Sequence, residues 1–225
     1  MEEKDFNWAG WELKKNLHGE EFDLEARKRM IAGSQMLLPL VKKYNSKLGK
    51  NILEIGPFFN PLITPEEFPN KNIFYWENDQ NVLKWLSKKY KNSVPIYCDL
   101  NKIEGTSLLK IKLETEKEFE RFKEKNTKFD SIIISHVFNY IDYKLLLIVL
   151  KDFLKKGGLL FINNVLEYGL PNLFSQKRPK NNEEIIQTLE KTGYNILDKK
   201  IIPSVNKKHQ KEDRLVLVAK NMEVK

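Results

Sequence analysis

The stretch NILEIGPFFNPL, residues 51–62, decides the fold. Its first half is a short apolar run typical of a buried β-strand, and a Gly-Pro pair ends that run. Residues 72–77, NIFYWE, form a second run of this kind, and NVLKWLSKKY at 81–90 then has helical spacing with Asp79 as its candidate N-cap. Strand, strand and helix patterns in this order indicate a parallel sheet with helices on its faces.

The alternation continues to the end of the chain. Strands are predicted at 51–56, 72–77, 94–100, 129–138, 159–165, 195–202 and 214–220. Helices are predicted at 24–45, with a break at Pro39, and at 81–90, 104–128, 143–155 and 181–194. The helix at 143–155 is expected to start at Asp142 and to stop at Gly157-Gly158. The pattern predicts a three-layer α/β fold with a mostly parallel sheet.

No Pro, Gly or Ser-rich linker and no internal repeat divides the chain. We therefore expect one domain over residues 1–225, made of an N-terminal helical cap at 1–48 and a core at 49–225. Trp8 and Trp11 lie in the cap. They either cover the core or belong to a lid over the ligand site.

Composition excludes several classes of protein. Apolar residues make up 41% of the 225 residues, and the ten glycines bring the share to about 45%, the ordinary range for a globular domain, which excludes a disordered tail protein. A single Cys cannot form an internal disulfide. The first ten residues, MEEKDFNWAG, lack the features of an export signal, and no apolar run approaches the length of a membrane span, so a cytoplasmic location without membrane insertion is expected.

The net charge of +8 is unevenly distributed along the chain. Residues 131–225 carry 16 basic and 10 acidic side chains, so most of the excess is C-terminal. Only five of the 39 basic residues are Arg, the residue that binds phosphate through two hydrogen bonds at once. Nucleic-acid binding therefore remains open but is not favoured, since a Lys-rich composition also explains the charge.

Acidic side chains follow the first three predicted strands. Glu54, Glu77 and Asp99 come at or just after the strand ends, and His136 lies near the end of the fourth strand. Ligands of open parallel sheets bind at the carboxyl ends of the strands, so these side chains are expected to meet at one edge. Without accompanying Cys they make a poor zinc site, a hard cation is the alternative, and no metal is predicted. A ligand rich in hydroxyl and amino groups fits them better.

Four segments of the chain resemble the class I S-adenosylmethionine-dependent methyltransferases. They are LEIGPFFNPL, YCDL, FDSIIISHVFNYID and LKDFLKKGGLLFIN, which occur in the order typical of that family, within a resemblance that covers about residues 49–220. The spacing of 21 residues between Gly56 and Glu77 is also similar to that of the family. The resemblance implies a Rossmann-like seven-stranded sheet with strand order 3-2-1-4-5-7-6, the last strand antiparallel, and S-adenosylmethionine as the cofactor.

The resemblance also implies roles for individual residues. Glu77 would accept hydrogen bonds from the ribose hydroxyls, Asp99 would contact the adenine amino group, and Gly56 would let the backbone approach the cofactor. The full set of cofactor-binding residues implied in this way is Glu54, Gly56, Pro57, Phe58, Asn60, Glu77, Asn78, Asp99, Leu100, Ser135 and His136. His136 is the candidate catalytic base for an acceptor that has to lose a proton, with Asn139 and Tyr140 as orienting groups. The alternative for His136 is a structural, hydrogen-bonded role in the pocket wall.

The methyl acceptor is the least determined part of this interpretation. The chain has SHVFNY where many enzymes that methylate amino groups of nucleic acids have Asn-Pro-Pro-aromatic, so a small-molecule acceptor is the first hypothesis. An anionic acceptor is favoured by basic residues expected to ring the entrance, namely Lys177, Arg178, Lys180, Lys207, Lys208 and Lys211. An RNA or protein acceptor is the second hypothesis. A non-catalytic cofactor-binding domain is the third, because Phe58 and Asn60 stand where the family often has glycines.

Overall fold

The computed structural model describes residues 31–100, 128–166, 175–203 and 213–222. Within these residues, seven strands form one sheet in the order β3-β2-β1-β4-β5-β7-β6. The strands are β1 (Asn51–Ile55), β2 (Asn72–Glu77), β3 (Ser93–Tyr97), β4 (Phe129–Ser135), β5 (Leu154–Asn164), β6 (Tyr194–Ile202) and β7 (Arg214–Asn221). The predicted strand order and fold class are confirmed.

The pairing directions also agree with the prediction. β1 lies between β2 and β4, and the pairs from β3 through β5 are all parallel. β7 runs antiparallel to both of its neighbours, β5 and β6. The carboxyl ends of β1, β2, β3, β4 and β5 therefore share one edge of the sheet with the start of β7.

Four helices are fully described, and side chains cap three of them. They are α1 (Leu38–Lys43), α2 (Gln80–Lys89), α3 (Tyr143–Phe153) and α4 (Asn182–Lys191). The side chains of Asp79, Asp142 and Asn181 accept backbone N–H bonds at the starts of α2, α3 and α4, which confirms the starts predicted at Asp79 and Asp142. The predicted helix at 104–128 lies outside the described residues, which resume at residue 128.

Two apolar clusters, one on each face of the sheet, account for the layers. Leu53 and Ile55 of β1 belong to the cluster that α3 and α4 cover, whereas Ile52 belongs to the cluster that α1 and α2 cover. Alternate residues of one strand thus point into different cores, as a strand buried on both faces requires. The fold is a three-layer sandwich.

Part of the predicted cap packs into the second core. Residues 31–35 are helical, a turn follows at 36–37, and α1 begins at Leu38 with Pro39 in its first turn, so the predicted break is confirmed. Leu37, Val41 and Leu48 are fully buried against the sheet. Residues 1–30, including Trp8 and Trp11, lie outside the described residues, and the division at residue 48 stays a prediction.

The segment after α3 differs from the prediction. The helix ends at Phe153 and β5 begins at once with Leu154, so Gly157 and Gly158 lie inside a strand and do not end the helix. Leu154 is buried and pairs with Phe129, which extends the strand backwards past the glycines. A Cβ on Gly158 would lie 2.8 Å from the carbonyl oxygen of Lys155, so the pair of glycines allows a local irregularity.

None of the helices in the described parts of the chain is long and apolar enough to cross a membrane.

Candidate ligand site at the carboxyl edge of the sheet

Glu54 holds the loop that follows β1. Its carboxylate is 2% exposed and accepts the backbone N–H of Leu62 at 2.9 and 3.0 Å and that of Ile63 at 3.0 Å. The hydroxyl of Tyr75 donates to the carbonyl oxygen of Ile63 at 2.6 Å. Glu54 and Tyr75 therefore fix the C-terminal end of the loop 56–63 to the sheet.

Burial governs the protonation of Glu54. Removal from water raises its pKa to about 8, although the N–H groups of Leu62 and Ile63 act in the opposite direction by stabilising the charged form. Both oxygens of Glu54 point to the loop backbone. Its place in the site is thus that of a support for the loop.

Glu77, at the end of β2, holds the near end of the same loop. Its Oε2 accepts the backbone N–H of Phe58 at 3.1 Å, and its Oε1 accepts the N–H groups of Asn78 at 2.8 Å and Asp79 at 3.2 Å. The side chain is buried. The carboxylate predicted to bind ribose therefore lies directly against the loop predicted to approach the cofactor.

Three residues with positive φ cluster at this edge. Gly56 has φ +65°, and a Cβ there would lie 2.9 Å from Cγ2 of Val137, so the loop after β1 packs tightly on the loop after β4. Phe58 (φ 52°) and His136 (φ 59°) adopt the left-handed conformation without being glycines. Backbone strain of this kind, of order 1–3 kcal/mol for each residue, clusters at functional sites.

β3 brings Asp99 to the same edge. The strand ends at Tyr97, earlier than predicted, and the N–H of Cys98 donates to the carbonyl oxygen of Glu77 at 2.9 Å. Asp99 follows Cys98 directly and is partly exposed. The carboxylates predicted to bind ribose and adenine thus lie at the ends of neighbouring strands.

Asn60 presents a buried donor inside the loop. Its backbone N–H closes a turn onto the carbonyl oxygen of Pro57 at 3.2 Å. Its side-chain Nδ2 is buried and has no hydrogen-bond partner in the described part of the chain. An unpaired buried donor is costly, so this atom is available to an acceptor oxygen of a ligand.

The end of β4 carries a buried polar cluster built around His136. Arg214, the first residue of β7, donates from Nη1 to Nε2 of His136 and, at 2.9 Å, to Oδ1 of Asn163. Because Arg can only donate, Nε2 of His136 is the acceptor, and Nδ1 carries the proton and donates to Oγ of Ser34 at 3.1 Å. Burial and the charge of Arg214 lower the pKa of His136 well below its ordinary value, so the ring is neutral.

The same cluster attaches the segment before α1 to the sheet. Nδ2 of Asn163 donates to the carbonyl oxygen of Gly33 at 2.8 Å and to Oγ of Ser135 at 3.2 Å, and Ser135 donates to Ser34 at 3.2 Å. A Cβ on Gly33 would lie 2.3 Å from the guanidinium of Arg214. Side chains from β4, β5 and β7 therefore bind a backbone segment that only glycine allows to come this close.

Two further buried carboxamides lie at the same edge. Asn139 is fully buried and donates from Nδ2 to the carbonyl oxygen of Val165 at 2.6 Å, whereas its Oδ1 has no partner in the described residues. Asn164, the last residue of β5, is 1% exposed, and neither of its side-chain polar atoms has a partner there. Tyr140 packs against the core beside them.

The structure brings most of the predicted site residues to one edge. Those after β1, β2 and β3 lie together around the loop 56–63. The loop after β4 packs against this loop through Val137, which contacts Gly56. Sequence reasoning missed Ser34, Asn163, Asn164 and Arg214. An Asn-Asn pair that ends an apolar strand and an Arg that begins another were the available signals, since polar residues are rarely buried without a reason.

The predicted basic rim is only partly described. Lys177 forms an ion pair with Asp142 at 2.9 Å, and Arg178 donates to the carbonyl oxygen of Leu166 at 3.2 Å. Lys180 is exposed. Lys207, Lys208 and Lys211 lie outside the described residues. Within the described residues, no group of three or more His, Cys, Asp or Glu side chains could hold a metal ion.

Comparison with known proteins identifies the architecture. No model of a protein family matches the chain, and no curated protein matches it in sequence. Solved structures match it in fold. One is the 1,6-didemethyltoxoflavin-N1-methyltransferase of Burkholderia thailandensis with bound 1,6-didemethyltoxoflavin and S-adenosylhomocysteine, which is 12% identical with a TM-score of 0.59 over 85% of this chain and 79% of that chain.

Two further structures give the same result. The N-methyltransferase NodS from Bradyrhizobium japonicum WM9, in complex with S-adenosylhomocysteine, is 15% identical with a TM-score of 0.57, over 88% of this chain and 87% of that chain. An S-adenosylmethionine-dependent methyltransferase from Clostridium acetobutylicum ATCC 824 is 16% identical with a TM-score of 0.56, over 85% and 92%. At these identities the likeness establishes the fold, which is the one that the sequence motifs predicted.

Proposed function

We propose that this chain, which has the fold of S-adenosylmethionine-dependent methyltransferases, binds S-adenosylmethionine at the carboxyl ends of β1, β2 and β3 and transfers its methyl group to a small molecule. The observation that carries the proposal is the loop 56–63, held between Glu54 and Glu77 with a close approach at Gly56. Structures of similar fold contain S-adenosylhomocysteine, the product of such a transfer.

The residues at this edge fit the cofactor. Each carboxylate oxygen has two lone pairs; Oε1 of Glu77 accepts two loop N–H groups and Oε2 accepts one, from Phe58, so Oε2 is the atom that would accept a ribose hydroxyl. Asp99, on the neighbouring strand end, is the candidate partner of the adenine amino group. The buried Nδ2 of Asn60 would donate a hydrogen bond to a cofactor oxygen, which would give this atom the partner that it lacks in the described residues.

S-adenosylmethionine supplies a methyl group on a positively charged sulfur, which is open to in-line attack. The protein's contribution is to hold the acceptor in line with that bond and to keep water away. Gly56 and Val137 pack the loop after β1 against the loop after β4, between the proposed cofactor side and the acceptor side. The acceptor would then bind beyond β4 and β5, next along the sheet.

His136 fits a positioning role better than that of a general base. Both ring nitrogens are hydrogen-bonded and the ring is neutral. A base needs an available lone pair that faces the acceptor. We therefore assign His136 to holding the segment around Ser34 on the site edge, with Asn139 and Tyr140 as the candidates that face the acceptor.

Calorimetry with S-adenosylmethionine and S-adenosylhomocysteine tests the cofactor. We expect both to bind the wild type, and we expect Glu77→Ala and Asp99→Ala each to weaken binding about tenfold or more, since each removes a charge-assisted hydrogen bond. Glu190→Ala, which removes an exposed carboxylate on α4, is the matched control and should bind normally. Absence of binding by the wild type would refute the proposal.

A second measurement separates the acceptor classes. Binding of RNA across a series of salt concentrations would fall steeply if phosphates were contacted. We expect no such binding, because Lys177 is already paired with Asp142 in the described part of the predicted rim. A small anionic acceptor is the proposal that remains. Cofactor binding without transfer to any acceptor would favour a binding domain.

A further inference from the structure

Asn164 is a buried carboxamide that the fold itself does not satisfy. It is 1% exposed, and within the described residues neither Oδ1 nor Nδ2 has a hydrogen-bond partner. The preceding residue, Asn163, is equally buried and bonded through both atoms, to Gly33, Ser135 and Arg214. Native proteins rarely leave buried polar side chains unpaired, so Asn164 requires a separate explanation.

Asn139, which lies just after β4, supplies a third unpaired atom. Its Nδ2 donates to the carbonyl oxygen of Val165, the residue after Asn164, at 2.6 Å. Its Oδ1 has no partner in the same part of the chain. The segments at the ends of the paired strands β4 and β5 therefore carry two unpaired acceptors and one unpaired donor.

These atoms lie where the proposed function needs an acceptor to bind. Ser135, the last residue of β4, pairs with Asn163 in β5, so the ends of the two strands are level. The sheet order places both strands immediately beyond β1, whose loop would hold the cofactor. A ligand attached to Asn139 and Asn164 would thus lie beside the cofactor side of the edge.

We propose, on the basis of the proposed function, that the carboxamides of Asn139 and Asn164 bind the methyl acceptor and that the accepting atom is the nitrogen of a neutral amine. A primary amine has two N–H groups, which match the two unpaired carboxamide oxygens, whereas a hydroxyl has one. Nδ2 of Asn164 would donate to an oxygen or ring nitrogen next to the amine. A charged ammonium is disfavoured, because uncharged carboxamides do not compensate a buried positive charge.

A neutral amine also removes the need for a base during transfer. Its nitrogen lone pair forms the new N–C bond while the C–S bond breaks and leaves its electron pair on sulfur. The additional proton on nitrogen leaves to water afterwards. A hydroxyl would have to lose its proton on the way, and the two ring nitrogens of His136 are engaged with Ser34 and Arg214.

Burial of both carboxamides implies that the acceptor enters when neighbouring residues separate. The free protein bears the cost of three unpaired atoms, and acceptor binding relieves that cost. The free energy recovered in this way would offset the opening and would favour ligands that supply all three hydrogen bonds. An acceptor that lacks one of them would leave a buried atom unpaired and be discriminated against.

The first test is thermal unfolding, which needs no knowledge of the acceptor. Asn164→Leu should raise Tm above that of the wild type, because it replaces an unsatisfied carboxamide with an apolar side chain of similar size. Asn164→Ala is the second variant, in case leucine is too large for the position. Alanine adds no bulk, and we expect this variant not to lower Tm either. Asn163→Leu is the matched control and should lower Tm, since its polar atoms are bonded. A lower Tm for both Asn164 variants would overturn the proposal.

The second test uses 2-aminobenzoate and 2-hydroxybenzoate, which differ only in the accepting group. Binding to protein saturated with S-adenosylhomocysteine is measured by saturation-transfer NMR. We expect the wild type to favour the amine by roughly tenfold, which corresponds to about one hydrogen bond, and we expect Asn164→Ala to lose that preference. Equal or stronger binding of the hydroxyl compound, an unchanged preference in the variant, or binding of neither compound would overturn the proposal.

Calorimetry with S-adenosylhomocysteine on the same proteins distinguishes the two proposals. If the wild type does not bind it, the proposed function fails. If the wild type and Asn164→Ala both bind it while the Tm and the amine preference go against expectation, only the acceptor subsite fails.

Discussion

Glu54 is a buried carboxyl group whose protonation is coupled to folding. Its pKa of about 8 in the folded protein lies above the ordinary 4.5, because burial disfavours the charged form. The folded state therefore binds this proton more tightly than the unfolded chain does. The associated stability is fully present below pH 4.5 and is lost as the pH rises through about 8, with a difference of roughly 5 kcal/mol at most.

In Glu54→Gln the side chain at this position no longer titrates, so it no longer makes the free energy of unfolding depend on pH. The variant should be less stable than the wild type at pH 5, because a carboxamide has one acceptor oxygen for the N–H groups of Leu62 and Ile63. Its free energy of unfolding should nevertheless change less between pH 6.5 and 8 than that of the wild type. Denaturant titrations at several pH values measure both effects. Parallel profiles for the two proteins would contradict the assignment of this titration to Glu54.

Gly56 and Gly157 form a matched pair for testing the close approach at the site. Both have positive φ, at 65° and 77°, so alanine costs each about 1–2 kcal/mol of strain. A Cβ on Gly157 would make an ordinary contact of 3.5 Å with Lys220, whereas one on Gly56 would lie 2.9 Å from Val137. We expect both variants to lose stability, and Gly56→Ala alone to lose about tenfold or more in affinity for S-adenosylhomocysteine by calorimetry. Equal affinities of Gly56→Ala and Gly157→Ala for S-adenosylhomocysteine would show that binding does not require contact between the loops after β1 and β4.

The segment at residues 31–37 is attached to the sheet by a polar cluster and by the buried side chain of Leu37, without strand pairing. Arg214 is the centre of this cluster, through His136 and Asn163. Its removal leaves two buried acceptors unpaired, which is more costly than the loss of an exposed ion pair.

Arg214→Met should release this segment. Amide exchange of Met36 and Leu37, whose N–H groups bond to Gly33 and Ser34, should accelerate, since their partners are no longer held. The pKa of His136 should rise because a neighbouring positive charge is gone, which NMR titration detects. Lys220→Met, near the other end of β7, is the control. Unchanged exchange in Arg214→Met would mean that the segment is held by other contacts.

Local patterns predicted the elements well because their causes are local. Asp79, Asp142 and Asn181 cap helices through backbone groups two or three residues away, and the apolar spacing of each helix is visible in its own sequence. The run from residue 154 to 158 was interpreted wrongly for the opposite reason. Leu154 belongs to a strand because it pairs with Phe129, a partner that no local pattern reveals.

The candidate site was predictable only to the level of strand ends. Its carboxylates could be placed at one edge because parallel strands share their direction. What those side chains bind there depends on the path of a loop, as with Glu54 and the N–H of Leu62, or on distant residues, as with His136 and Arg214. Such partners are set by tertiary packing, and a single sequence carries no spacing rule for them.

The whole molecule should show a plateau of stability in mildly acidic solution. His136 has a lowered pKa, so protonation of the unfolded chain reduces stability as the pH falls below about 6.5. Glu54 acts in the opposite direction above pH 4.5. Between these values the two effects oppose each other. Below pH 4.5 stability falls further, because the pKa values of Asp130, Asp142 and Glu184 are lowered in the folded protein. Burial acts to raise these pKa values, but hydrogen bonds from neighbouring groups outweigh it.

Thermal unfolding between pH 3.5 and 9 checks this profile. We expect Tm to be nearly constant from about pH 4.5 to 6.5 and to fall on both sides. In Glu54→Gln the plateau should become a slope that rises towards pH 6.5, since His136 is then unopposed. A Tm that rises steadily from pH 6.5 to 8 in the wild type would contradict the profile.

The antiparallel position of β7 has a consequence for the newly made chain. Its residues Leu215–Ala219 are buried on both faces and between two strands, so before the sheet closes they form an apolar β-rich segment with nothing to pair with. Segments of this kind drive aggregation, and flanking charges oppose it. Arg214 and Lys220 stand at the two ends of the run. We therefore expect the arginine that organises the folded site to oppose self-association of the unfolded chain as well.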